Sequence, residues 1–372
     1  MRKNVLITGG AGFVGSHLTD ALLQQGHNVR ILDNLNPQVH PQGVPPYLPS
    51  EAELMVADVR DAEALRRAIA GIDVIFHLAS AVGVGQSMYE ISNYMGANTQ
   101  GTANLLQVLL DGGCKIEKLI VASSMSIYGE GKYVCPSCGD RAPEARLLSQ
   151  LAAKQWEMQC PECDAVLAPV ATDESKPLQC TSIYALSKKD QEEMCLLFGR
   201  TYGVPVVALR FFNIYGARQA LSNPYTGVAA IFASRLLNGR SPLIFEDGRQ
   251  KRDFVSVYDI VQACTLAMET SGADGRAVNI GSGVPISIQE VATILCDALE
   301  RYELISVTGK YRAGDIRHCF ADITLARRLL NYEPKVEFAQ GMRELAYWLR
   351  SQQPQDHSEA AVAQLVQYGL TA

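Results

Sequence analysis

Short apolar runs alternate with amphipathic segments along the first third of the chain. Buried strands are predicted by the apolar runs at 5–8, 29–32, 54–57, 74–78 and 119–122. Between them, apolar side chains recur at helical spacing over 13–25, 62–69 and 98–110. Apolar strands separated by helices are typical of a parallel sheet that is covered on both faces. The pattern therefore predicts an α/β fold built on a doubly wound parallel sheet.

The pattern changes near Gly131, where a polar stretch over 132–176 interrupts it. Two Cys-Pro-x-Cys turns lie within this stretch. Apolar order then returns as predicted helices at 184–198 and 228–237 and predicted strands at 206–211 and 277–280. The tail from 351 onward begins polar and ends in a weak helical pattern, to which the sequence assigns no role.

Composition narrows the class of protein. The 372 residues are 48% hydrophobic and 19% charged, the balance of an ordinary globular enzyme of roughly two domains. The net charge of −6, without a basic block, argues against nucleic-acid binding. No apolar run is long enough to span a membrane or to act as a signal peptide, and the ten cysteines are too sparse for a disulfide scaffold. We therefore expect a cytoplasmic protein whose thiols are free or metal-bound.

A glycine-rich turn joins the first predicted strand to the first predicted helix. Its sequence over 8–15, Thr-Gly-Gly-Ala-Gly-Phe-Val-Gly, lets the backbone approach a pyrophosphate, and the helix N-terminus adds free N–H groups. Asp33 ends the second strand, where a carboxylate accepts hydrogen bonds from ribose hydroxyls and repels a 2′-phosphate. No arginine follows at 34–36, so NAD is predicted rather than NADP. Asp58 is either a contact to the adenine edge or an ordinary loop residue.

A tyrosine and a lysine lie four residues apart at the start of a predicted helix. This spacing places the side chains of Tyr184 and Lys188 on one helix face. A nearby ammonium stabilises phenolate, which lets a tyrosine act as a base at neutral pH. Ser123 and Ser124 follow a predicted strand at the carboxyl edge of the sheet, where ligands bind. These residues predict oxidation of a substrate hydroxyl, although a surface Tyr–Lys pair is the alternative for the helix alone.

The chain resembles the extended short-chain dehydrogenase/reductase family, which includes the nucleotide-sugar epimerases and dehydratases. The resemblance rests on motifs that run in order along most of the chain: TGGAGFVG from Thr8, DVRD from Asp58, HLAS from His77, SSMSIYG from Ser123, YALSK from Tyr184, RFFNIYG from Arg210, RDFVSVYDI from Arg252 and YRAGDIRH from Tyr311. It implies a Rossmann NAD-binding domain over 1–217, with an insert at about 131–176 and a return at about 255–281. A smaller C-terminal α/β domain over 218–372 would close over a nucleotide sugar. It also implies a homodimer through helices near 98–110 and 184–198.

The resemblance implies roles for individual residues. The catalytic set corresponds to Ser124, Tyr184 and Lys188. Contacts to tightly bound NAD are expected from Gly9, Gly12, Phe13, Val14, Gly15, Asp33, Asn34, Asp58, Val59, Leu78, Ala79, Ser80, Asn98, Ser123, Tyr184, Lys188 and Phe212. Contacts to the nucleotide sugar are expected from Ser124, Met125, Asn213, Phe245, Arg252, Arg312 and Cys319. In that second set, Asn213 and the two arginines match a diphosphate clamp and Phe245 stacks on the base. A surface salt bridge is the alternative for each arginine.

The residues after Ser124 divide the possible reactions. By resemblance, dehydratases have an Asp-Glu pair there and sugar-acid decarboxylases have a Glu, whereas this chain has Met125 and Ser126. These side chains cannot supply that acid–base chemistry, which favours an NAD-dependent 4-epimerase acting through a transient 4-keto sugar. An NAD(P)H-dependent reductase of 4-keto sugars and a non-catalytic NAD-binding scaffold are the alternatives.

The identity of the sugar stays open at this stage. The stretch over 219–239 is similar both to UDP-glucose 4-epimerase-like proteins and to dTDP-L-rhamnose 4-epimerases. In related epimerases a residue four positions after the Asp of the RxGD motif limits pocket size, and the same count from Asp315 leads to Cys319. Because Cys319 is small, both a UDP-hexose and a dTDP-6-deoxyhexose are compatible with it.

Four cysteines in the insert have the spacing of a zinc site. They form two Cys-x-x-Cys knuckles, Cys135 with Cys138 and Cys160 with Cys163. Four thiolates suit a structural Zn²⁺ that has no open coordination position. A ribbon that folds without metal and a redox pair are the alternatives. The insert is slightly acidic, so we expect a rigid lid or an oligomer contact rather than a nucleic-acid-binding ribbon.

Overall fold

The computed structural model describes residues 1–301, 305–312 and 314–371, and it begins with an alternation of strands and helices. The elements up to Tyr128 are, in chain order, β1 (Asn4–Thr8), α1 (Phe13–Gln24), β2 (Asn28–Asp33), β3 (Glu53–Val56), α2 (Ala62–Ile69), β4 (Val74–His77), α3 (Val84–Ser87), α4 (Ile91–Tyr94), a π-helix (Met95–Gln100), α5 (Gly101–Asp111), β5 (Lys118–Ser124) and a 3₁₀ turn (Met125–Tyr128).

The remaining elements belong to the insert, to the end of the sheet and to a smaller unit. The insert contains β6 (Lys132–Cys135), β7 (Gly139–Arg141), α6 (Leu148–Ala152) and β8 (Ala168–Val170). After it come α7 (Ile183–Tyr202), β9 (Val206–Phe211), β10 (Asn213–Tyr215), α8 (Val228–Leu237), β11 (Leu243–Ile244), β12 (Lys251–Ser256), α9 (Val257–Glu269) and β13 (Arg276–Ile280). The chain continues with β14 (Pro285–Ser287), α10 (Ile288–Ala298), β15 (Ser306–Val307), β16 (His318–Cys319), α11 (Thr324–Leu330), α12 (Phe338–Leu349) and α13 (Ser358–Gln367).

A seven-stranded parallel sheet forms the centre of the molecule. Its strand order is β3-β2-β1-β4-β5-β9-β13. The order reverses direction between β1 and β4, and in such sheets ligands bind in the crevice outside the carboxyl ends at this point. The predicted doubly wound Rossmann fold is confirmed, including the short strand expected at 277–280, which is β13.

Apolar layers cover both faces of this sheet. On one face Leu18 and Leu22 of α1 pack with Ile260 and Ala263 of α9 against the strands. On the other face Leu65, Leu105, Leu109 and Phe198 form the second layer. Because both faces are buried, the strands need apolar residues on both sides, which explains the continuous apolar runs of the sequence. No helix among the described residues combines the length and apolar content needed to cross a bilayer.

The helix predicted over 98–110 begins differently in the structure. A π-helical segment, Met95–Gln100, precedes the regular α5. The wider turn directs Asn98 into the interior, where it is fully buried. Such segments are rare and often lie at functional sites. The helical periodicity of the sequence gives no indication of this extra residue per turn.

The smaller unit packs β10, β12 and β14 against helices, with β16 paired to β12. Its core is formed by apolar side chains from α8, α10, α12 and β12, among them Phe232, Leu236, Phe254, Leu295 and Met342. The insert forms a separate three-stranded antiparallel sheet in the order β7-β6-β8. It touches the smaller unit through a bridge between Thr172 and Ala321.

Asp253 joins the large sheet to the smaller unit. It lies on β12 and is fully buried. One carboxylate oxygen accepts hydrogen bonds from the backbone N–H and the hydroxyl of Ser282, each at 2.7 Å. The other oxygen accepts from the backbone N–H groups of Gly283 at 2.8 Å and Ala321 at 3.2 Å. Four donors therefore converge on one buried carboxylate, which ties the segment after β13 to β12 and β16.

The substitution Asp253→Asn should destabilise the fold. An amide of the same shape has only one acceptor oxygen, so two of the four donors lose their partner, at a cost of about 2–3 kcal/mol. Urea unfolding of the variant should show this loss. Asp297→Asn, an exposed position on α10, is the matched control and should leave the free energy of unfolding unchanged. Equal stability of the two variants would contradict the role given to Asp253.

Candidate active site

A cavity of about 710 Å³ opens at the carboxyl ends of the central strands. The loops after β1, β2, β4 and β5 form one side of it, and the smaller unit forms the other. It lies where the strand order reverses, the position expected for a ligand in this fold. Most of the residues predicted to bind NAD or the nucleotide sugar line this cavity.

The glycine-rich turn forms one end of the cavity. Gly9 has a positive φ of +72°, and a Cβ there would lie 2.8 Å from the backbone N of Ala79. A Cβ on Gly15 would lie 2.4 Å from the carbonyl oxygen of Gly9. No side chain caps the N-terminus of α1 at Gly12, so its first N–H groups are open toward the cavity. This backbone cradle and the positive end of the helix dipole fit a pyrophosphate.

Asp33 lies beside this cradle at the end of β2. Its carboxylate accepts hydrogen bonds from the backbone N–H groups of Ala11 at 3.0 Å and Leu35 at 2.9 Å. Each oxygen is therefore oriented and keeps a free lone pair for a ribose hydroxyl. The residues present thus fit the pyrophosphate and ribose of a dinucleotide.

Asp58 belongs to a charged group that the sequence did not predict. Its carboxylate forms an ion pair with Arg60 at 2.7 Å and accepts a hydrogen bond from Asn34 at 2.9 Å. The hydrogen bond from Arg60 lowers the pKa of Asp58 to about 2. Arg60 also lines the cavity, although it lies outside residues 34–36, where an arginine for a 2′-phosphate would be expected and is absent. Its guanidinium is engaged by both oxygens of Asp58.

Ser124 and Tyr184 meet in the middle of the cavity. Ser124 ends β5 and Tyr184 lies in the first turn of α7, so the sheet and the helix place both side chains. Burial raises the pKa of Tyr184, and a hydrogen bond with the Ser124 hydroxyl opposes that rise. The Ser124 oxygen also lies 2.5 Å from the hydroxyl oxygen of Ser126. The serine and tyrosine expected to act on the substrate are therefore adjacent.

Lys188 lies one helical turn after Tyr184 and is held by a buried polar network. Its ammonium donates to the Gln191 side chain at 2.7 Å, and the Gln191 amide donates to Thr102 at 2.9 Å. Burial lowers the pKa of Lys188 to about 7. Burial also lowers the pKa of His77 to about 3, so this neighbour is neutral. Sequence reasoning missed Gln191 and Thr102, because polar residues at single helical positions have no recognisable motif.

The residues expected around the nucleotide sugar lie on the opposite wall. Among the described residues, the buried side-chain oxygen of Asn213 has no hydrogen-bond partner, which fits an acceptor reserved for a ligand. The guanidinium of Arg312 lies 4.6 Å from the centre of the Phe245 ring and is paired with Asp315 at 2.9 Å. Arg252 also lines the cavity and donates to the carbonyl groups of Lys251, Ile316 and Arg317.

Three predicted contacts differ in the structure. Cys319 does not line the cavity but is 1% exposed, with its sulfur 3.9 Å from the Thr172 hydroxyl. The pairing of β16 with β12 turns its side chain into the core, so in this structure Cys319 does not reach the cavity where a substrate contact was expected. Asn98 lies behind the cavity, where its amide binds both backbone groups of Ala81. Ser123 lines the cavity, but its hydroxyl donates to Glu192 at 2.6 Å.

The C-terminal helix α13 contributes a wall that the sequence did not predict. Ala361, Val362 and Leu365 line the cavity. The Gln364 side chain accepts hydrogen bonds from Tyr89 at 3.0 Å and Tyr225 at 2.7 Å. These contacts join residues far apart in sequence. The only indication in the sequence of a helix with an apolar face was the four-residue spacing of Ala361 and Leu365.

Known proteins resemble the chain over nearly its whole length. A dTDP-L-rhamnose 4-epimerase from Burkholderia thailandensis is 34% identical over 353 residues, which cover 93% of this chain and 95% of that protein. A UDP-N-acetyl-alpha-D-glucosaminuronate decarboxylase from Bacillus cytotoxicus is 32% identical over 94% of this chain and 98% of its own. The crystal structure of Thermus thermophilus UDP-glucose 4-epimerase in complex with NAD superposes with a TM-score of 0.73 at 28% identity, covering 94% and 99% of the two chains.

The sequence profile of the NAD dependent epimerase/dehydratase family matches residues 5–147 and 161–281. These two ranges include the glycine-rich turn, the Ser124 strand and the Tyr184 helix. The unmatched residues between them lie within the insert. The chain belongs to the NAD dependent epimerase/dehydratase family.

Proposed function

We propose that this protein is an isomerase, an NAD-dependent 4-epimerase of a nucleoside-diphosphate sugar. The observation that supports this most directly is the contact between Ser124 and Tyr184 beside the glycine cradle, with Lys188 one turn along α7. The relatives named as dTDP-L-rhamnose and UDP-glucose 4-epimerases support the same activity. They also keep both substrate classes open, a dTDP-6-deoxyhexose and a UDP-hexose.

The mechanism follows from the positions of three side chains. When bound, NAD supplies the hydride acceptor and donor for carbon 4 of the sugar. Tyr184 takes the proton of the 4-hydroxyl group and later returns it to the same oxygen. Ser124 orients that oxygen through its hydroxyl, and protonated Lys188 stabilises the phenolate. Between the two proton transfers the 4-keto sugar rotates and presents its opposite face, so the returning hydride inverts the configuration at carbon 4.

The residues beside Ser124 favour this reaction over the others of the family. Met125 and Ser126 line the cavity there and offer no carboxyl group. Elimination of water needs an acid and a base at that position, so a dehydratase activity is disfavoured. The same absence of a carboxylate argues against the decarboxylase activity of the Bacillus cytotoxicus relative, despite its 32% identity.

The insert supports a second proposal, a structural Zn²⁺ held by Cys135, Cys138, Cys160 and Cys163. Their four sulfur atoms all lie within 4.8 Å of one another. Two of the separations are 3.5 and 3.6 Å, close to the roughly 3.8 Å that tetrahedral Zn–S bonds of about 2.3 Å require. Apart from two of these cysteines, the buried apolar cluster of the insert contains Tyr133, Met158 and Leu167. A core this small needs a cross-link or a metal.

Assembly and location are further parts of the proposal. A homodimer through α5 and α7 is supported by apolar side chains that these helices leave exposed, Leu110, Leu186 and Leu197. Partnering copies would bury them. A cytoplasmic location is supported by ten cysteines without a disulfide among them in the structure.

Turnover without added cofactor is the first test of the proposed activity. Because an epimerase regenerates its NAD, purified protein should interconvert the 4-epimers of a UDP-hexose or of a dTDP-6-deoxyhexose with no nucleotide supplied. Chromatographic or NMR analysis of the sugars would detect both epimers. A product that forms only with stoichiometric NAD(P)H would instead indicate the reductase.

The substitution Tyr184→Phe should remove the base while leaving the site otherwise intact. We expect kcat to fall by about 10²–10⁴-fold, the usual contribution of a positioned proton acceptor. The amount of NAD that copurifies should not change. Tyr202→Phe, at the exposed end of the same helix, is the matched control and should be fully active. Normal activity of the Tyr184 variant would exclude the phenol from the mechanism.

Metal analysis tests the zinc site. Purified protein should contain one zinc per chain, because four thiolates close a single tetrahedral site. The substitution Cys135→Ser should lower the zinc content, whereas Cys114→Ser, outside the cluster, should not. Wild-type protein with well under one zinc per chain would refute the proposal.

A further inference from the structure

The segment between the two cysteine knuckles packs behind the wall of the active-site cavity. Two charged residues of this segment, Arg146 and Glu157, are bonded to residues that neighbour the predicted nucleotide contacts. Arg146 is almost completely buried, with 1% of its side chain exposed. Neither residue belongs to a family motif, and part of the segment lies between the ranges that match the family profile.

Arg146 holds the loop that carries Phe245. Its guanidinium donates to both carboxylate oxygens of Glu246, at 2.7 and 3.0 Å. Glu246 is the residue after Phe245, and its φ of +53° lies in the left-handed region. A non-glycine residue keeps that conformation only where its surroundings hold it. The two-pronged ion pair with Arg146 therefore fixes the backbone beside the predicted base-stacking ring.

Arg146 also reaches the segment that carries Arg312. The same guanidinium donates to the carbonyl oxygen of Asp315 at 3.0 Å. The carboxylate of Asp315 is the ion-pair partner of Arg312, whose guanidinium lies over the Phe245 ring. One side chain of the insert thus connects both members of the Phe245–Arg312 pair.

Glu157 holds the next part of that segment. One of its oxygens accepts from Arg317 at 2.5 Å, and the other lies 3.0 Å from Nε2 of His318. The backbone N–H of Lys251 donates to Nδ1 of His318 at 3.0 Å. His318 is therefore the tautomer that donates from Nε2 to Glu157. Arg317 is fully buried and also binds Glu246 and Asp247.

Arg252 is tied to the same segment. Its guanidinium donates to the backbone carbonyl groups of Ile316 and Arg317, the latter at 3.1 Å. Since Glu157 fixes the side chains of Arg317 and His318, it also fixes the backbone against which Arg252 is oriented. Both arginines predicted to bind the diphosphate therefore depend on contacts made by the insert.

We infer that the insert positions the nucleoside-diphosphate half of the substrate site, with Arg146 and Glu157 as its positioning residues. The inference rests on the proposed nucleotide-sugar activity. Neither residue is bonded to the catalytic set. Ser124 is placed by β5 of the large sheet, and Tyr184 and Lys188 are placed by the helix α7. Loosening these contacts therefore weakens nucleotide binding and leaves proton transfer intact.

The substitution Glu157→Gln tests this inference with little change in shape. Glu157 is half-buried, and an amide still accepts from His318 or Arg317, but one carboxylate oxygen becomes an NH₂ group that faces a donor. We expect the Kd for UDP or dTDP, measured by calorimetry without turnover, to rise by about tenfold, equivalent to about 1.4 kcal/mol. KM for the nucleotide sugar should rise by the same factor while kcat, NAD content and zinc content keep their wild-type values.

Two further variants control for charge and for folding. Glu144→Gln removes the same charge from an exposed position of the insert and should leave the Kd unchanged. Arg146→Lys keeps the buried charge but loses the two-pronged contact with Glu246, and it should raise the Kd in the same direction. The thermal unfolding temperature of each variant shows whether a substitution only destabilises the fold.

The outcomes separate this inference from the proposed function. A variant that unfolds at lower temperature with an unchanged Kd, or one that loses kcat with an unchanged KM, overturns the positioning role. Wild-type protein that binds neither UDP nor dTDP also overturns it. Wild-type protein that binds a nucleotide but interconverts no sugar contradicts the epimerase proposal alone, because the Kd values of the variants still decide the role of the insert.

Discussion

A buried phenol is the constraint on which the active site depends. Tyr184 lines the cavity, and burial raises its pKa, which opposes the ionised form that a base requires. Ser124 opposes this rise through a hydrogen bond, and Lys188 can do so through its charge. Burial also lowers the pKa of Lys188 to about 7, so the ammonium is itself costly to keep. The positive charge of a bound nicotinamide ring would favour the phenolate further, so the chemistry and the cofactor site are linked.

The parallel sheet brings residues that are distant in the sequence to one edge, where they form the site around Tyr184. The glycine turn, Asp33 and Ser124 lie at the carboxyl ends of three different strands, and these ends meet near the point where the strand order reverses. The network from Lys188 through Gln191 and Thr102 then crosses from α7 to α5. Ser124, Tyr184 and Lys188, for which proton transfer is proposed, are therefore all carried by regular elements, β5 and α7.

Local motifs made this half of the site predictable from the sequence. The glycines of the turn are close together in the sequence, and so are Tyr184 and Lys188. Spacing and periodicity therefore indicate both motifs. Cys319 was expected among the substrate contacts, but a count along the chain does not reveal the register of β16 against β12, which turns its side chain into the core. Gln191 and the cavity-lining role of α13 were missed for a related reason. Their contacts join segments that are far apart in sequence, and a pattern of neighbours gives no information about them.

In the opposite wall of the cavity, the segment that carries Arg312 has little regular structure of its own. Residues 311, 312 and 314–318 carry Arg312 and Asp315, and β16, where this stretch ends, is only two residues long. Support comes from three distant parts of the chain: Thr371 donates to the carbonyl of Tyr311, Arg252 donates to the carbonyl groups of Ile316 and Arg317, and Arg146 and Glu157 bind from the insert. A short irregular segment keeps one conformation only when outside contacts replace the missing ladder of backbone hydrogen bonds. The C-terminal tail and the insert, neither of which carries one of the family motifs, therefore converge on the surface that would face the nucleotide.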